Sequence, residues 1–324
     1  MNKGITGLHH VTAMTSDAQE NIDFYAGILG LRLVKKTINF DSPDIWHFYY
    51  GDRIGNPGTL LTFFPFTGMP RGRKGNGQVT TTSFSVSEKS FDYWLKRFSS
   101  FGVIHLKPKD RFNESYIYFE DPDGLGLELV AAADDSREGF TYGNIPPEYS
   151  IKGFYGVTLN EENHERTAGL LMGQMDHDLI AEKDDRFRFS AGDNSFGFVD
   201  IVHTPWEFRS RGGSGTIHHV AFATANDVSQ NEFRERLLDG GIVSPTPVID
   251  RQYFHSVYFR EPGGVLFEAA TSDIGFTIDE SEDQLGSALK LPQWEEKNRH
   301  EIESALPHVE LEIDKFSDAQ VQHN

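Results

Sequence analysis

Two adjacent imidazoles and one carboxylate set inside apolar runs are the side chains best placed to do chemistry. His218 and His219 lie in Gly215-Thr-Ile-His-His-Val-Ala-Phe-Ala, and Glu268 lies in Pro262-Gly-Gly-Val-Leu-Phe-Glu-Ala-Ala. Both runs read as strands, because Val220-Ala-Phe222 and Val265-Leu-Phe267 are short β-rich segments bounded by Gly-Gly or Pro-Gly breakers. Burying a neutral polar group in a sheet without a partner costs roughly 2–7 kcal/mol, and a charge costs more. A divalent metal would compensate all three. The chain has no cysteine, so disulfides, zinc-thiolate sites and thiol nucleophiles are excluded, and any metal must be held by nitrogen and oxygen.

The elements that position these residues must come from a soluble, globular chain. With 324 residues, 38% hydrophobic and 24% charged, it can build one large or two ordinary domains with real cores. No apolar run approaches a membrane span, and Met1-Asn-Lys-Gly lacks the apolar stretch of a signal peptide, so the expected location is the cytoplasm. A formal charge of −19 argues against nucleic acid and anionic membranes as partners. The basic knot Arg71-Gly-Arg-Lys74 reads as a solvated loop.

The chain repeats itself. Units begin near residues 8, 79, 153 and 216, each opening with a strand, passing through a helix and closing with further strands. Helices are expected over 18–29, ending at Gly30, over 91–101, ending at Gly102, around 165–172, and over 231–238, ended by Gly240-Gly241. The fold class is therefore α+β, with four βαβββ modules. Two modules form an N-terminal domain over 1–133, residues 134–150 with Pro146-Pro147 form a linker, and two modules form a C-terminal domain over 151–276. Residues 277–324 form an acidic extension in which the charge run from Asp279 is solvated, 294–306 make one helix, and 317–324 fray.

These features resemble the vicinal-oxygen-chelate superfamily, which includes glyoxalases, bleomycin-resistance proteins and extradiol dioxygenases. More closely, Gly7-Leu-His-His-Val-Thr12, Gly55-Asn-Pro-Gly-Thr-Leu60, Arg71-Gly-Arg-Lys-Gly75, His218-His219 and Pro262 to Glu268 resemble the ring-cleaving dioxygenases that act on hydroquinones. The resemblance runs from Leu8 to about Leu291. It implies two vicinal-oxygen-chelate domains whose metal ligands come from first and last strands of modules.

First-strand positions hold His10, Thr81, Gly156 and His219; last-strand positions hold an apolar or threonine side chain near Thr62-Phe63, then Glu128, Asp200 and Glu268. Pairing the first unit with the fourth assembles His10, His219 and Glu268, a two-histidine, one-carboxylate set that leaves open positions on iron(II). Mn(II) accepts the same set. Glu128 and Asp200 read as vestiges or structural partners. Strand alternation sends neighbouring side chains to opposite faces, so one histidine of each pair is a ligand, and the resemblance selects His10 and His219. His9 and His218 are left as hydrogen-bonded neighbours or acid-base groups, with His255 as a rival acid-base group. Thr12 shares the face of His10, within reach of a bound oxygen or water. The family also places an Arg and a Tyr near the substrate at positions matching Arg251 and Tyr258; a turn at Gln252-Tyr253 is needed to bring them to one face.

The expected activity is Fe(II)-dependent extradiol-type cleavage of a hydroquinone or catechol-like diol with O2, in degradation or detoxification of quinone-related compounds. No nicotinamide or flavin is implied, since the glycine pairs fall between strands. The alternatives are a redox-silent glyoxalase-like lyase, transferase or isomerase, which would recruit a further carboxylate, and a non-enzymatic protein that binds an aromatic toxin. Modules of this superfamily often pair across subunits, so a homo-oligomer is among the expected partners.

Overall fold

Each repeat folds as one strand, one helix and three strands. The computed structural model describes residues 4–140, 143–192 and 195–317. The first module contains β1 (Gly7–Thr15), α1 (Ala18–Ile22, prolonged by a π-helical turn Asp23–Ile28), β2 (Arg32–Asn39), β3 (Ser42–Gly51) and β4 (Leu60–Pro65). The second contains β5 (Gln78–Val86), α2 (Phe91–Ser100), β6 (Lys109–Arg111), β7 (Glu114–Glu120) and β8 (Gly126–Ala131). The third contains β9 (Gly153–Glu161), α3 (His164–Gln174), β10 (His177–Lys183), β11 (Arg186–Ala191) and β12 (Phe198–His203). The fourth contains β13 (Thr216–Thr224), α4 (Asp227–Gly240), β14 (Ile249–Asp250), β15 (His255–Arg260) and β16 (Leu266–Thr271). Strands β6, β10 and β14 are short or polar, and lack the apolar alternation that marks the others.

Local chemistry sets the helix ends. Asp17 caps α1 by accepting from the amides of Gln19 and Glu20, and Asn226 caps α4 by accepting from Ser229. The closing turns need a left-handed residue, which glycine supplies at Gly30 (φ 68°) and Gly241 (φ 63°). Among the described residues no helix is long and apolar enough to cross a membrane.

The modules join in two eight-stranded sheets, ordered β14-β15-β16-β13-β1-β4-β3-β2 and β10-β11-β12-β9-β5-β8-β7-β6. Each sheet thus draws one module from residues 1–133 and one from 151–276. First strands meet antiparallel at the seams, and each seam has an approximate two-fold centre, at Val11↔Val220 in one sheet and Thr82↔Val157 in the other. About the first centre, His10 is the mate of His219 and Thr12 of Ala221. The register slips by one residue on either side, leaving His9 and His218 as extra, bulged residues. Thr80 and Tyr155 are bulged at the equivalent places in the second sheet.

In that second sheet Glu128 and Asp200 hold guanidinium groups. Arg111 reaches both oxygens of Glu128 at 2.9 and 2.7 Å, and Arg188 spans from Asp200 (2.7 and 2.9 Å) to Glu114 (2.6 and 2.9 Å). With Arg186, which also binds Asp200 at 2.9 Å, these arginines fill the space between the carboxylates and satisfy them.

The C-terminal extension is anchored through charge. Fully buried Lys35 pairs with Asp279 at 2.6 Å and with Glu280, and Tyr253 donates to Asp279 at 2.9 Å. The expectation of a wholly solvated charge run is corrected there: Glu280 is buried because it neutralises an ammonium under the chain. Helix α5 (Arg299–Ala305) is shorter than 294–306, with Ile302 and Leu306 buried and Trp294 edge-on to Phe40. The basic knot is bridged to the 209–214 loop at Arg71↔Ser214 and Arg73↔Arg211, and Lys74 bonds Glu120 at 3.0 Å. Of the segments expected to link or fray, residues 141–142 and 318–324 lie outside the described residues.

One buried acid pair gives a pH test of stability. Glu261 accepts amide hydrogen bonds from Gly263 and Val265, whereas Oε1 of buried Glu161 has no partner among the described residues. Burial, then the charge of Glu261, pushes the Glu161 carboxyl up to about 8. A raised pKa means the fold prefers the protonated acid, so this contribution is complete below the ordinary value of 4.5 and is lost as pH climbs to about 8. Glu161→Gln should therefore melt close to the parent in acid and progressively above it across that window. A melting difference that does not change with pH would show that Glu161 is not protonated in the fold.

Candidate metal centre and its cavity

His10 and His219 project from the seam, and Glu268 reaches them from β16. The His10 and His219 Nε2 atoms are 3.1 Å apart, and Glu268 Oε2 is 3.3 Å from the first and 3.0 Å from the second. All three residues are buried, and among the described residues they form the one group of three His, Asp or Glu side chains with ligating atoms close enough to share an ion. Register explains the asymmetry of the set. Glu268 lies beside Ala221, and its two-fold mate beside Thr12 is Thr62, so one side of the seam supplies a carboxylate and the other a hydroxyl.

The hydrogen bonds around the triad leave lone pairs pointing inward. His9 Nε2 donates to the Thr271 carbonyl at 3.1 Å, and burial, aided by His10, pushes His9 down to about 3, so it is neutral. Its Nδ1 must then accept from His10 Nδ1–H at 2.9 Å, which leaves a lone pair on His10 Nε2. A matching contact joins His218 Nδ1 to His219 Nδ1 at 2.7 Å. Burial also holds His219 below its ordinary value. Burial alone would raise Glu268, but the two imidazoles packed against its carboxylate bring it well below the carboxylate range. Ser256 donates to Oε1 at 2.5 Å, while buried Oε2 has no hydrogen-bond partner among the described residues. Facing lone pairs and an orphaned carboxylate oxygen at about 3 Å are repulsive without a cation between them, so the residues fit a divalent ion.

The bulges overturn the expected alternation. Because His9 and His218 are the extra residues, each lies on the same side as its neighbour, ring edge to ring edge. Their surroundings still differ. His9 is buried behind His10 against Phe254, whereas His218 is at the mouth of a cavity of about 370 Å³ above the triad. His255 turns away from that cavity to Asp227, at 2.5 Å. Thr12 does not reach it either: its hydroxyl is 2.8 Å from that of Thr62, which in turn meets His47 Nε2 at 2.9 Å.

Arg251 and Tyr258 do meet. Gln252 adopts φ 67°, turning the chain between β14 and β15, and Arg251 Nε donates to the Tyr258 hydroxyl at 3.3 Å while Nη2 binds Asp41 at 3.0 Å. Tyr258 pairs directly across from Glu268, so the hairpin preserves the parity. Burial, then Glu268, pushes the Tyr258 phenol up, and it stays protonated. Sequence reasoning missed His47 and Tyr49, which line the cavity from the first module. The signal was present in the repeat: Tyr49 pairs with Thr62 as Tyr258 pairs with Glu268, and His47 precedes Tyr49 as Ser256 precedes Tyr258.

Four such modules define a class of fold, and known proteins share it. The family model described as Glyoxalase/Bleomycin resistance protein/Dioxygenase superfamily matches residues 7–129. Glyoxalase I from Zea mays shares the fold alone, with a TM-score of 0.61 at 16% identity over 82% of this chain and 92% of that one. "Putative ring-cleaving dioxygenase MhqO" of Bacillus subtilis (strain 168) is 41% identical over 306 residues, 94% of this chain and 97% of the relative. Chlorohydroquinone/hydroquinone 1,2-dioxygenase of Sphingobium indicum is 32% identical over 299 residues, 90% of this chain and 93% of the relative. A "putative dioxygenase" crystal structure from Bacillus subtilis has a TM-score of 0.90 at 41% identity, covering 95% of this chain and 98% of that one. The chain belongs to the ring-cleaving dioxygenases of this superfamily. It is an enzyme that joins O2 to an aromatic ring.

Proposed function

We propose that the protein is an extradiol-type dioxygenase for a hydroquinone or catechol-like diol, dependent on Fe(II) held by His10, His219 and Glu268, in degradation or detoxification of quinone-related compounds. The observation that carries this is the buried triad at the base of an aromatic-lined cavity, with inward lone pairs and one orphaned oxygen. When bound, ferrous iron supplies a common template for ring oxygen and dioxygen and offsets negative charge on oxygen. Tyr258 keeps its proton and donates it as a hydrogen bond to the substrate oxygen. Arg251, charged throughout, polarises that phenol and offsets charge that develops beside it. Of His9, His218 and His255, His218 is the one that lines the cavity and is the candidate to take the ring hydroxyl proton; His9 is committed to Thr271 and holds His10 in orientation. Phe64, Phe254 and Met14 exclude water from the reacting oxygens. A redox-silent site would call for a further carboxylate, and Thr62 stands in that place.

Anaerobic reconstitution with Fe(II) or Mn(II), followed by oxygen uptake and product analysis on hydroquinone and catechol, tests this. The expected result is uptake that requires Fe(II) and ends in a ring-opened product. Tight metal binding with uptake supported by Mn(II) alone would overturn the iron assignment, and ring opening between the two hydroxylated carbons would overturn the extradiol one.

A further inference from the structure

The cavity has two unlike sides. On the fourth-module side, Tyr258 and Arg251 satisfy each other beside Glu268. On the first-module side, the mate of Glu268 is Thr62, whose hydroxyl is committed to Thr12 and His47 and offers no donor that reaches the triad. That side is therefore free for a ring. It nevertheless carries two polar groups with nothing to bind. Tyr49, mate of Tyr258, is 2% exposed and lines the cavity, yet its hydroxyl has no hydrogen-bond partner among the described residues. His47 packs on it at 4.0 Å between ring centres and spends Nε2 on Thr62, leaving Nδ1 without a partner among the described residues.

A phenol that faces the cavity with no protein partner gains a hydrogen bond from any ligand oxygen that reaches it, a bond of the kind whose loss weakens binding about 10-fold. Whichever way the Thr12-Thr62-His47 protons run, His47 Nδ1 is left as a donor or an acceptor, and a hydroxyl can meet either. The rest of the first-module wall is apolar at Phe64 and Phe66, and its polar residues are spoken for at the β2–β3 turn, where Asp41 binds Arg251 and Asn39 Oδ1 accepts from the Asp41 amide.

We infer that Tyr49 and His47 receive the ring hydroxyl that the triad side does not hold, and so favour a 1,4-diol over a 1,2-diol. This rests on the proposed reading of the triad as a site for a diol oxygen. A 1,2-diol with both oxygens at the triad would face Tyr49 and His47 with carbon-bound hydrogen. A 1,4-diol directs one oxygen there and carries the other across the ring to the first-module wall.

The test is a binding cycle on anaerobic, Fe(II)-loaded protein, titrating hydroquinone, catechol and phenol into the parent and Tyr49→Phe, with metal content and melting temperature measured on each. Tyr49→Phe keeps the ring that packs on His47. The expected result is hydroquinone binding weakened about 10-fold, from loss of one hydrogen bond in a buried site, with phenol and catechol changed less than about twofold. His47→Phe should act in the same direction with unchanged metal content. Equal weakening of all three ligands would overturn the inference, because Tyr49 would then act on the oxygen at the triad; no change for hydroquinone would overturn it as well. A parent that loads metal and binds none of the three ligands would instead sink the underlying diol reading.

Discussion

Replacing Glu268 with glutamine should abolish both tight metal binding and oxygen uptake while leaving the fold intact. A residue that only orients a ligand is worth roughly 10–100-fold in metal affinity, so loss of the donor itself should cost more than about 100-fold. The structural reason is charge. Glu268 is the one anion of the triad, its Oε2 lies within 3.3 Å of both imidazoles, and buried Gln would present a neutral amide whose NH2 can point at the ion. Ser256, which donates to Oε1, provides the graded control: Ser256→Ala should weaken metal binding about 10-fold without removing it. Metal titration followed by fluorescence, with melting curves of metal-free protein, separates the effects. An E268Q protein that binds Fe(II) like the parent would remove Glu268 from the site. One that no longer melts cooperatively would make its role structural.

The second large effect is on stability. Arg188 is buried, spans Glu114 and Asp200, and lies within 5 Å of the Phe112 and Phe198 ring centres. Arg188→Met removes the cation and leaves two buried carboxylates, of which Glu114 keeps Arg111 and Asp200 keeps Arg186. Breaking such a network by one partner costs on the order of 3–5 kcal/mol. For a chain of this size that is a fall of roughly 10 °C in melting temperature. Metal affinity should not change, since the triad sits in the other sheet. Neutralising the acids as well, with Glu114→Gln and Asp200→Asn, should recover part of the loss, because the penalty comes from the uncompensated charges more than from the missing bonds. If R188M melts with the parent, these carboxylates are solvated in solution, and the second sheet does not depend on its arginines.

The two sheets show how one module design yields different centres. Thr81 and Gly156 occupy the places of His10 and His219, and Glu128 and Asp200 those of Thr62 and Glu268. Where histidines and a single carboxylate meet, inward lone pairs suit a metal. Where two carboxylates meet without histidine, arginine side chains from β11 and the end of β6 reach in and supply the positive charge covalently.

Much of this was legible along the chain. The four-fold repeat, the helix stops at Gly30, Gly102 and Gly241, and the rarity of a histidine in the first strand of a unit are local patterns, because helix and strand periodicity and left-handed caps act over a few residues. Comparing units put one histidine of each pair together with Glu268, the resemblance chose His10 and His219 within the pairs, and the seven-residue separation of Arg251 and Tyr258 required the turn that Gln252 makes. Tertiary structure decided the rest. A bulge is a slip between two strands more than a hundred residues apart, so nothing in His9-His10 or His218-His219 signals that both rings face one side. Thr12 shares a strand face with His10 but is claimed by Thr62, and His255 is claimed by Asp227, because hydrogen-bond partners are chosen across elements. His47 and Tyr49 looked like ordinary residues of an aromatic strand. Only the packing of the first module against the fourth opened a cavity in front of them, and left the Tyr49 hydroxyl on its wall without a partner among the described residues.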